Sequence, residues 1–534
     1  MPAFDPLTYR YASRRNVVYA KNAVACTSVP LGAQIGLDVM KSGGSAVDAA
    51  VAMAAAMPLL EPTGNGLGSD CFALVWIERD KRLYGLNASG VAPMALSAEK
   101  VRAMGYAAMP TEGWLPTMVP GAPAGWAELN RRFGTKPLAE LFAPAVSYAE
   151  EGYPVPVNVA RQWERDSRRI AKAMAENAAP HEYWWQSFMK PDGTPYRAGE
   201  LFRLPDYAAT LRALAATDCE SYYRGALMER IVAFSRATGG YFCEDDFRNY
   251  HPEWVEPITQ DYRGYTVCEI PPNGHGITVL MALGILNGMT MPEKRESAEH
   301  YHKVMEAIKL AFADTRTYVA DPRYMKTKVS ELLDPAYLAA RRALITDRAL
   351  EPRAGDPHCG GTIYLCTADR EGNMVSFIQS NYTTFGAGVA VPGTGIFSLD
   401  PASDNCLAGG KRSYHTIIPG FLLRDGAAVG PFGVMGAFMQ PQGQTEVLVN
   451  TLDYHMNPQE TLDAPRIQWI GGRRLELERE AGEAIADELR AMGHEVTVVD
   501  DRISMGRGQI IWRGEDGVYT AGTEPRCDGA VAAW

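Results

Sequence analysis

The sequence is short of several things, and each shortage excludes a class of protein. Basic residues are outnumbered, 52 Lys and Arg against 63 Asp and Glu, for a formal net charge of −11. That leaves no broad cationic face for a nucleic-acid backbone and no polybasic stretch for an anionic lipid surface. Long hydrophobic runs are missing. The most apolar stretch, 46–60, is interrupted by Asp48 and Pro58 and is shorter than the roughly 20 residues of a membrane span. The opening residues, Met1-Pro2-Ala3-Phe4-Asp5-Pro6, show neither the basic nor the apolar region of a secretory leader. Cysteine is sparse: nine residues, an odd number, scattered without a C-x-x-C pair. They read as free thiols in a reducing compartment, with no disulfide framework or zinc site expected. The cytoplasm is therefore the expected location, with neither nucleic acid nor membrane as partner.

Familiar catalytic and cofactor motifs are also missing. There is no G-x-S-x-G elbow and no H-E-x-x-H. The segment TGNGLGSD (63–70) lacks the G-x-G-x-x-G spacing and precedes a strand-like stretch, so it reads as a tight turn under a strand. In AGGKRS (408–413), Arg412 stands where a phosphate-binding loop needs Ser or Thr. His300 and His302 lie two apart on a predicted helix, so they face different sides and read as solvent or helix-face residues. No metal or organic cofactor is expected.

What is present is the composition of a globular protein long enough for a large core: 534 residues, 46% hydrophobic. Two packed helices are predicted over 31–41 and 47–57. Gly43-Gly44 ends the first, and Ser45 with Asp48 forms a capping box for the second. A strand hairpin follows (71–78 and 82–89), then a mostly helical stretch to about 250. A long amphipathic helix is expected over 297–319, with Val304, Ile308, Ala311 and Phe312 on one stripe. After about 355 the pattern turns strand-rich, at 362–369, 374–382, 415–423, 430–435, 494–500 and 508–512. Helices are expected at 443–454, 458–463 and 480–492.

One short arrangement has chemical interest: His358-Cys359-Gly360-Gly361-Thr362, leading straight into a strand. Adjacency does not make His358 and Cys359 a catalytic dyad. Two glycines, however, leave an open backbone whose carbonyl a Thr362 hydroxyl can attack. The peptide becomes an ester, and hydrolysis frees Thr362 as a new N-terminus. Its α-amine, titrating near pKa 8 against about 10.4 for a lysine, would serve as its own base. A plain Gly-Gly loop entering a strand fits the same residues.

The sequence resembles the γ-glutamyltranspeptidase family of N-terminal-nucleophile hydrolases in ordered blocks along most of its length. These are residues 25–62, GLGSDCFALVW (66–76), PPNGHGITVLMALGILNG (271–288), EAIKLAFADTRTYVADPRYM (306–325), 362–396 and MNPQETLDAPRIQW (456–469). The resemblance implies an α+β, four-layer αββα sandwich built from two pieces of one precursor. Residues 1–361 would form the large subunit and 362–534 the small one, cut between Gly361 and Thr362. Thr362 would be the nucleophile, Ser380 the hydroxyl bonded to it, and Gly436-Ala437 the oxyanion pair. The expected substrate is a γ-glutamyl amide, with the acyl group passed to water or to an amine. Partners would be that small molecule and the two subunits, and a homodimer is compatible with the family.

Departures concentrate on substrate recognition. Ser89 occupies the place of the family's carboxylate-binding Arg, and Val91 a place that can be basic. Tyr382, beside Asn381, replaces the family's Asn. Asp404 aligns with its amine-binding Asp in a shortened segment. KRSYHT (411–416) replaces a Ser-Ser pair, so that Lys411, Arg412 and His415 offer an alternative carboxylate site. A glutaryl or cephalosporin-type acylase, or an uncleaved member acting as a binding protein, are the alternatives these departures favour.

Overall fold

The structure, a computed structural model, describes residues 15–352, 362–381, 384–389, 399 and 401–534. Gly361, Tyr382, His358 and Cys359 lie outside the described residues. Two seven-stranded antiparallel sheets form the centre. One has the order Ala530–Ala533, Val24–Thr27, Thr362–Ala368, Met374–Ser380, Asp70–Ile77, Arg82–Ala88, Glu253–Val255. The other runs Val18–Ala20, Tyr519–Thr523, Arg507–Arg513, Ala427–Met435, Gly420–Arg424, Tyr265–Glu269, Ile258–Tyr262.

Alternation along the strands separates the cores. In Thr362–Ala368, Ile363 and Leu365 join an apolar cluster with the Ala-rich helix Ala46–Leu60. Tyr364 and Cys366 turn the other way, to meet Phe421, Met435 and Ile511 of the second sheet. That sheet's far side is covered by Ile277–Leu286, Ala298–Tyr318 and Met439–Leu452, which share a third cluster with Val267, Leu422, Phe432 and Ile510.

The predicted helix pair is present as Pro30–Lys41 and Ala46–Leu60. Close approach explains the small side chains: a Cβ on Gly36 would meet Met53 Sδ. The capping box is present too, with Ser45 N–H donating to Asp48 at 2.8 Å and Asp48 N–H to Ser45 Oγ at 3.2 Å. Asp48 also accepts from Thr135 N–H at 2.9 Å, which ties the cap to the next helical layer.

Three expectations need correction. The strand expected over 415–423 begins only at Gly420. Pro419 precedes it, and a residue without an N–H cannot join a ladder interior. The helix expected at 443–454 starts at Met439. Pro441 falls in its first turn, where its missing N–H costs nothing. His300 and His302 are buried, not solvent-facing. Their helix, Ala298–Tyr318, is covered on more than its apolar stripe, and His302 Nδ1 meets His494 Nε2 at 2.8 Å. Among the described residues, no helix is long and apolar enough to cross a membrane.

Glu269, at the end of its strand, is buried with neither carboxylate oxygen hydrogen-bonded. Burial alone holds its carboxyl well above the usual range. The folded chain therefore keeps this proton while the unfolded chain loses it above about pH 4.5, so stability falls as pH rises beyond that point. Glu269→Gln should flatten that decline. Denaturant unfolding should show the variant gaining on wild type by up to about 1.4 kcal/mol per pH unit above pH 4.5, with no gain below it.

Candidate active site

The strand pairing brings three polar side chains into one row. Thr362 lies directly opposite Ser380, and Ser380 directly opposite Asp70. Residues opposite one another share a sheet face, here the face toward the second sheet. Thr362 Oγ1 and Ser380 Oγ are 2.8 Å apart, both side chains buried. The glycine turn expected beneath a strand packs on this point: a Cβ on Gly64 would lie 2.9 Å from Ile363 Cγ2 and 3.1 Å from the Thr362 carbonyl oxygen.

Gly436 and Ala437 join the strand Ala427–Met435 to the helix Met439–Leu452. Gly436 has φ +136° and Ala437 φ +50°. Ala437 is thus in the left-handed region, where a Cβ costs roughly 1–2 kcal/mol. The turn lies beside Thr362, because Gln440 in the following helix places its Nε2 at 3.4 Å from Thr362 Oγ1. A helix N-terminus also carries positive partial charge, suited to a developing oxyanion.

The residues expected near the substrate are placed less simply. His415 Nε2 is 2.9 Å from Asp70 Oδ2. Its Nδ1 accepts from Ile417 N–H at 3.4 Å, which leaves the ring proton on Nε2 to be donated to Asp70. Asp70 Oδ1 accepts from Gly90 N–H at 2.8 Å. Arg412 reaches Ser89 from a different loop, with Nη1 bonded to Asn87 Oδ1 at 3.1 Å and Ser89 Oγ at 3.0 Å. Its Nη2 pairs with Glu253 at 3.0 Å. Lys411 donates to the carbonyls of Asp404 and Cys406. Lys411, Arg412 and His415 are therefore each directed to different intramolecular acceptors and do not converge on one carboxylate site. Asp404 is turned to Lys326, 2.7 Å from its ammonium. Asn381 accepts from Ser69 Oγ at 2.9 Å, beside the glycine turn.

Asp70 and Gln440 are the site residues that the sequence reading missed. Asp70 lies within the quoted GLGSD block, yet only the strand register reveals that it faces Ser380. Nothing in local sequence marks Gln440. Among the described residues, one group has metal-ligand character: His302, Glu306 and His494. Its protons are already accounted for. Lys309 Nζ donates to Glu306 at 2.6 Å and approaches His494 Nδ1 at 3.3 Å. The His494 Nε2–H then serves His302, whose own Nε2–H meets the Thr346 carbonyl at 2.7 Å. The lysine ammonium thus occupies the cation's role.

A sequence model of γ-glutamyltranspeptidase matches residues 32–534. The chain belongs to the γ-glutamyltranspeptidase family. It is similar to the glutathione hydrolase-like YwrD proenzyme of Bacillus subtilis, 33% identical over 94% of this chain and 96% of that one. It is also similar to the oxamate amidohydrolase proenzyme of Klebsiella pneumoniae, 32% identical over 94% and 97%. Among solved structures, the cephalosporin acylase of Bacillus halodurans superposes with a TM-score of 0.94 at 51% identity, covering 100% of this chain and 99% of that one. The chain's curated relatives are named as proenzymes of glutathione hydrolase-like, oxamate amidohydrolase and acylase type.

The backbone of the Gly436-Ala437 turn can be probed directly. Ala437→Gly should retain or slightly raise thermal stability, since it removes the Cβ strain. Ala437→Val, β-branched at positive φ, should lose about 2 kcal/mol or more in denaturant unfolding.

Proposed function

We propose that this chain is a self-cleaving N-terminal threonine amidohydrolase with the αββα sandwich of its family. The precursor cuts itself between Gly361 and Thr362, giving residues 1–361 and 362–534 as two subunits. The observation that carries this reading is the buried Thr362–Ser380 hydroxyl pair at the start of a central strand, beside a left-handed turn at a helix N-terminus. The freed α-amine of Thr362 takes the hydroxyl proton as Oγ attacks the amide carbon. The Gly436-Ala437 turn supplies backbone donors to the oxyanion. The amine component leaves with a proton, and water hydrolyses the acyl-enzyme. Asp70 and His415 hold the 411–416 loop against the strand end.

The acyl group we propose is a five-carbon chain ending in carboxylate, γ-glutamyl as in glutathione or glutaryl as in cephalosporin side chains. The amine-free glutaryl chain is the second reading. It is favoured by the 51% identity to a cephalosporin acylase and by Asp404, aligned with the family's amine-binding Asp, being paired with Lys326. Hydrolysis is favoured over transfer to an amine.

Intact mass of the purified protein should show two fragments, the smaller beginning at Thr362, with Thr362→Ala remaining full length. Turnover of γ-glutamyl- and glutaryl-p-nitroanilide should be lost in Thr362→Ala by roughly 10⁴-fold or more. A single uncleaved wild-type chain inert to both substrates would sink the reading and point to an uncleaved binding protein.

A further inference from the structure

Gln440 has no part in the chemistry set out so far, yet it touches the reacting oxygen. It lies buried in the first turn of the helix Met439–Leu452, three residues beyond Ala437. Its amide is fixed at both ends. Ile418 N–H donates to Oε1 at 3.1 Å, and Nε2 donates to Thr362 Oγ1 at 3.4 Å. The amide cannot be reversed without setting Nε2–H against the Ile418 N–H, so the nitrogen must face the threonine.

We propose that Gln440 is a catalytic residue of acyl-enzyme hydrolysis, donating its Nε2–H to Thr362 Oγ as that oxygen leaves the acyl group. The inference rests on Thr362 being the nucleophile. During attack, negative charge moves from Oγ to the carbonyl oxygen, and a donor on Oγ gains nothing. During hydrolysis the charge returns. The water oxygen bonds to the acyl carbon, and its proton passes to the Thr362 α-amine. The acyl C–Oγ bond then breaks, its electron pair goes to Oγ, and the proton is delivered from the amine to Oγ. A hydrogen bond to an oxygen that gains charge in the transition state is stronger there than in the ground state. The resting distance of 3.4 Å is long for such a bond, which leaves it room to tighten. Ser380 cannot substitute fully, because its hydroxyl can serve Oγ as donor or as acceptor. The amide nitrogen is only a donor.

Gln440 also joins the 418 segment to the helix, so the variants must separate that structural part from donation. Gln440→Glu keeps an acceptor for Ile418 N–H and, once ionised, presents only a second oxygen; because burial holds a carboxyl's proton, it is assayed at the alkaline end of the enzyme's working range. Gln440→Leu removes both. The self-cleaved proteins would be compared on whichever p-nitroanilide the wild type turns over, by rapid-mixing kinetics and by acid-quenched mass of the fragment beginning at Thr362. Both variants should show kcat and KM falling together by about tenfold, with kcat/KM held within about twofold. A burst of p-nitroaniline and an acyl adduct on the small fragment should accompany this. A Gln440→Leu protein with wild-type kcat and no adduct would overturn the proposal, as would a fall in kcat/KM at constant KM. A variant that stays a single chain should carry the Thr362 ester of its own precursor and be cut by hydroxylamine at that position. A single chain inert to hydroxylamine would also overturn it. Thr362→Ala, run alongside, separates the two failures: if it retains turnover, the nucleophile reading falls. If it is inert while Gln440→Leu is unaffected, only the Gln440 role falls.

Discussion

The antiparallel register across Thr362–Ala368, Met374–Ser380 and Asp70–Ile77 is the constraint on which the candidate site depends. It sets Thr362 against Ser380 and Ser380 against Asp70, two residues from the strands of one hairpin and the third from a strand near the start of the chain. A slip of one residue would turn all three side chains toward the helical layer. The alternation that fills both cores opposes such a slip, because Ile363 and Leu365 would then lose the helix Ala46–Leu60 while Tyr364 and Cys366 left the inter-sheet core. Hydrophobic burial thus holds a polar row in place, and no polar contact has to specify the register alone.

The second sheet contributes through the junction of its strand Ala427–Met435 with the helix Met439–Leu452. That helix begins a turn earlier than its apolar pattern predicts, and the extra turn brings Gln440 to the hydroxyl pair. The loop 411–418 closes the arrangement. Its His415, Arg412 and Lys411 side chains are paired internally with Asp70, Glu253 and backbone carbonyls, so it acts as a brace between the sheets. His415 carries this most directly, joining Asp70 of one sheet to a segment that leads into Gly420 of the other.

Much of the fold was legible because local signals agreed. The helix pair at 30–60 had its Gly-Gly stop, its Ser45–Asp48 cap and its small residues. The strands at 70–77, 362–368 and 374–380 had clear apolar runs. Thr362 and Ser380 came from a family resemblance, and the structure places their hydroxyls together. What local sequence could not convey was polar pairing over long separations. His302 with His494 and Asp70 with His415 are buried partners more than 190 residues apart. The loop at 411–416 looked like a cationic patch because its acidic and carbonyl partners come from elsewhere. Proline misled twice: Pro419 delayed a strand, and Pro441 sat unnoticed inside a helix's first turn.

The order of strands in the sheet that holds Thr362 has a consequence for assembly. Its interior strand Thr362–Ala368 is flanked by Val24–Thr27 on one side and Met374–Ser380 on the other, while Asp70–Ile77 and Ala530–Ala533 lie one place further out. Segments from before and after residue 361 are therefore interleaved like fingers of two hands. Neither hand alone could close its sheet. Each would present open strand edges, the feature that invites aggregation. Two separately made halves would have to fold in one another's presence, whereas a continuous chain brings both sets of strands together before any cut is made.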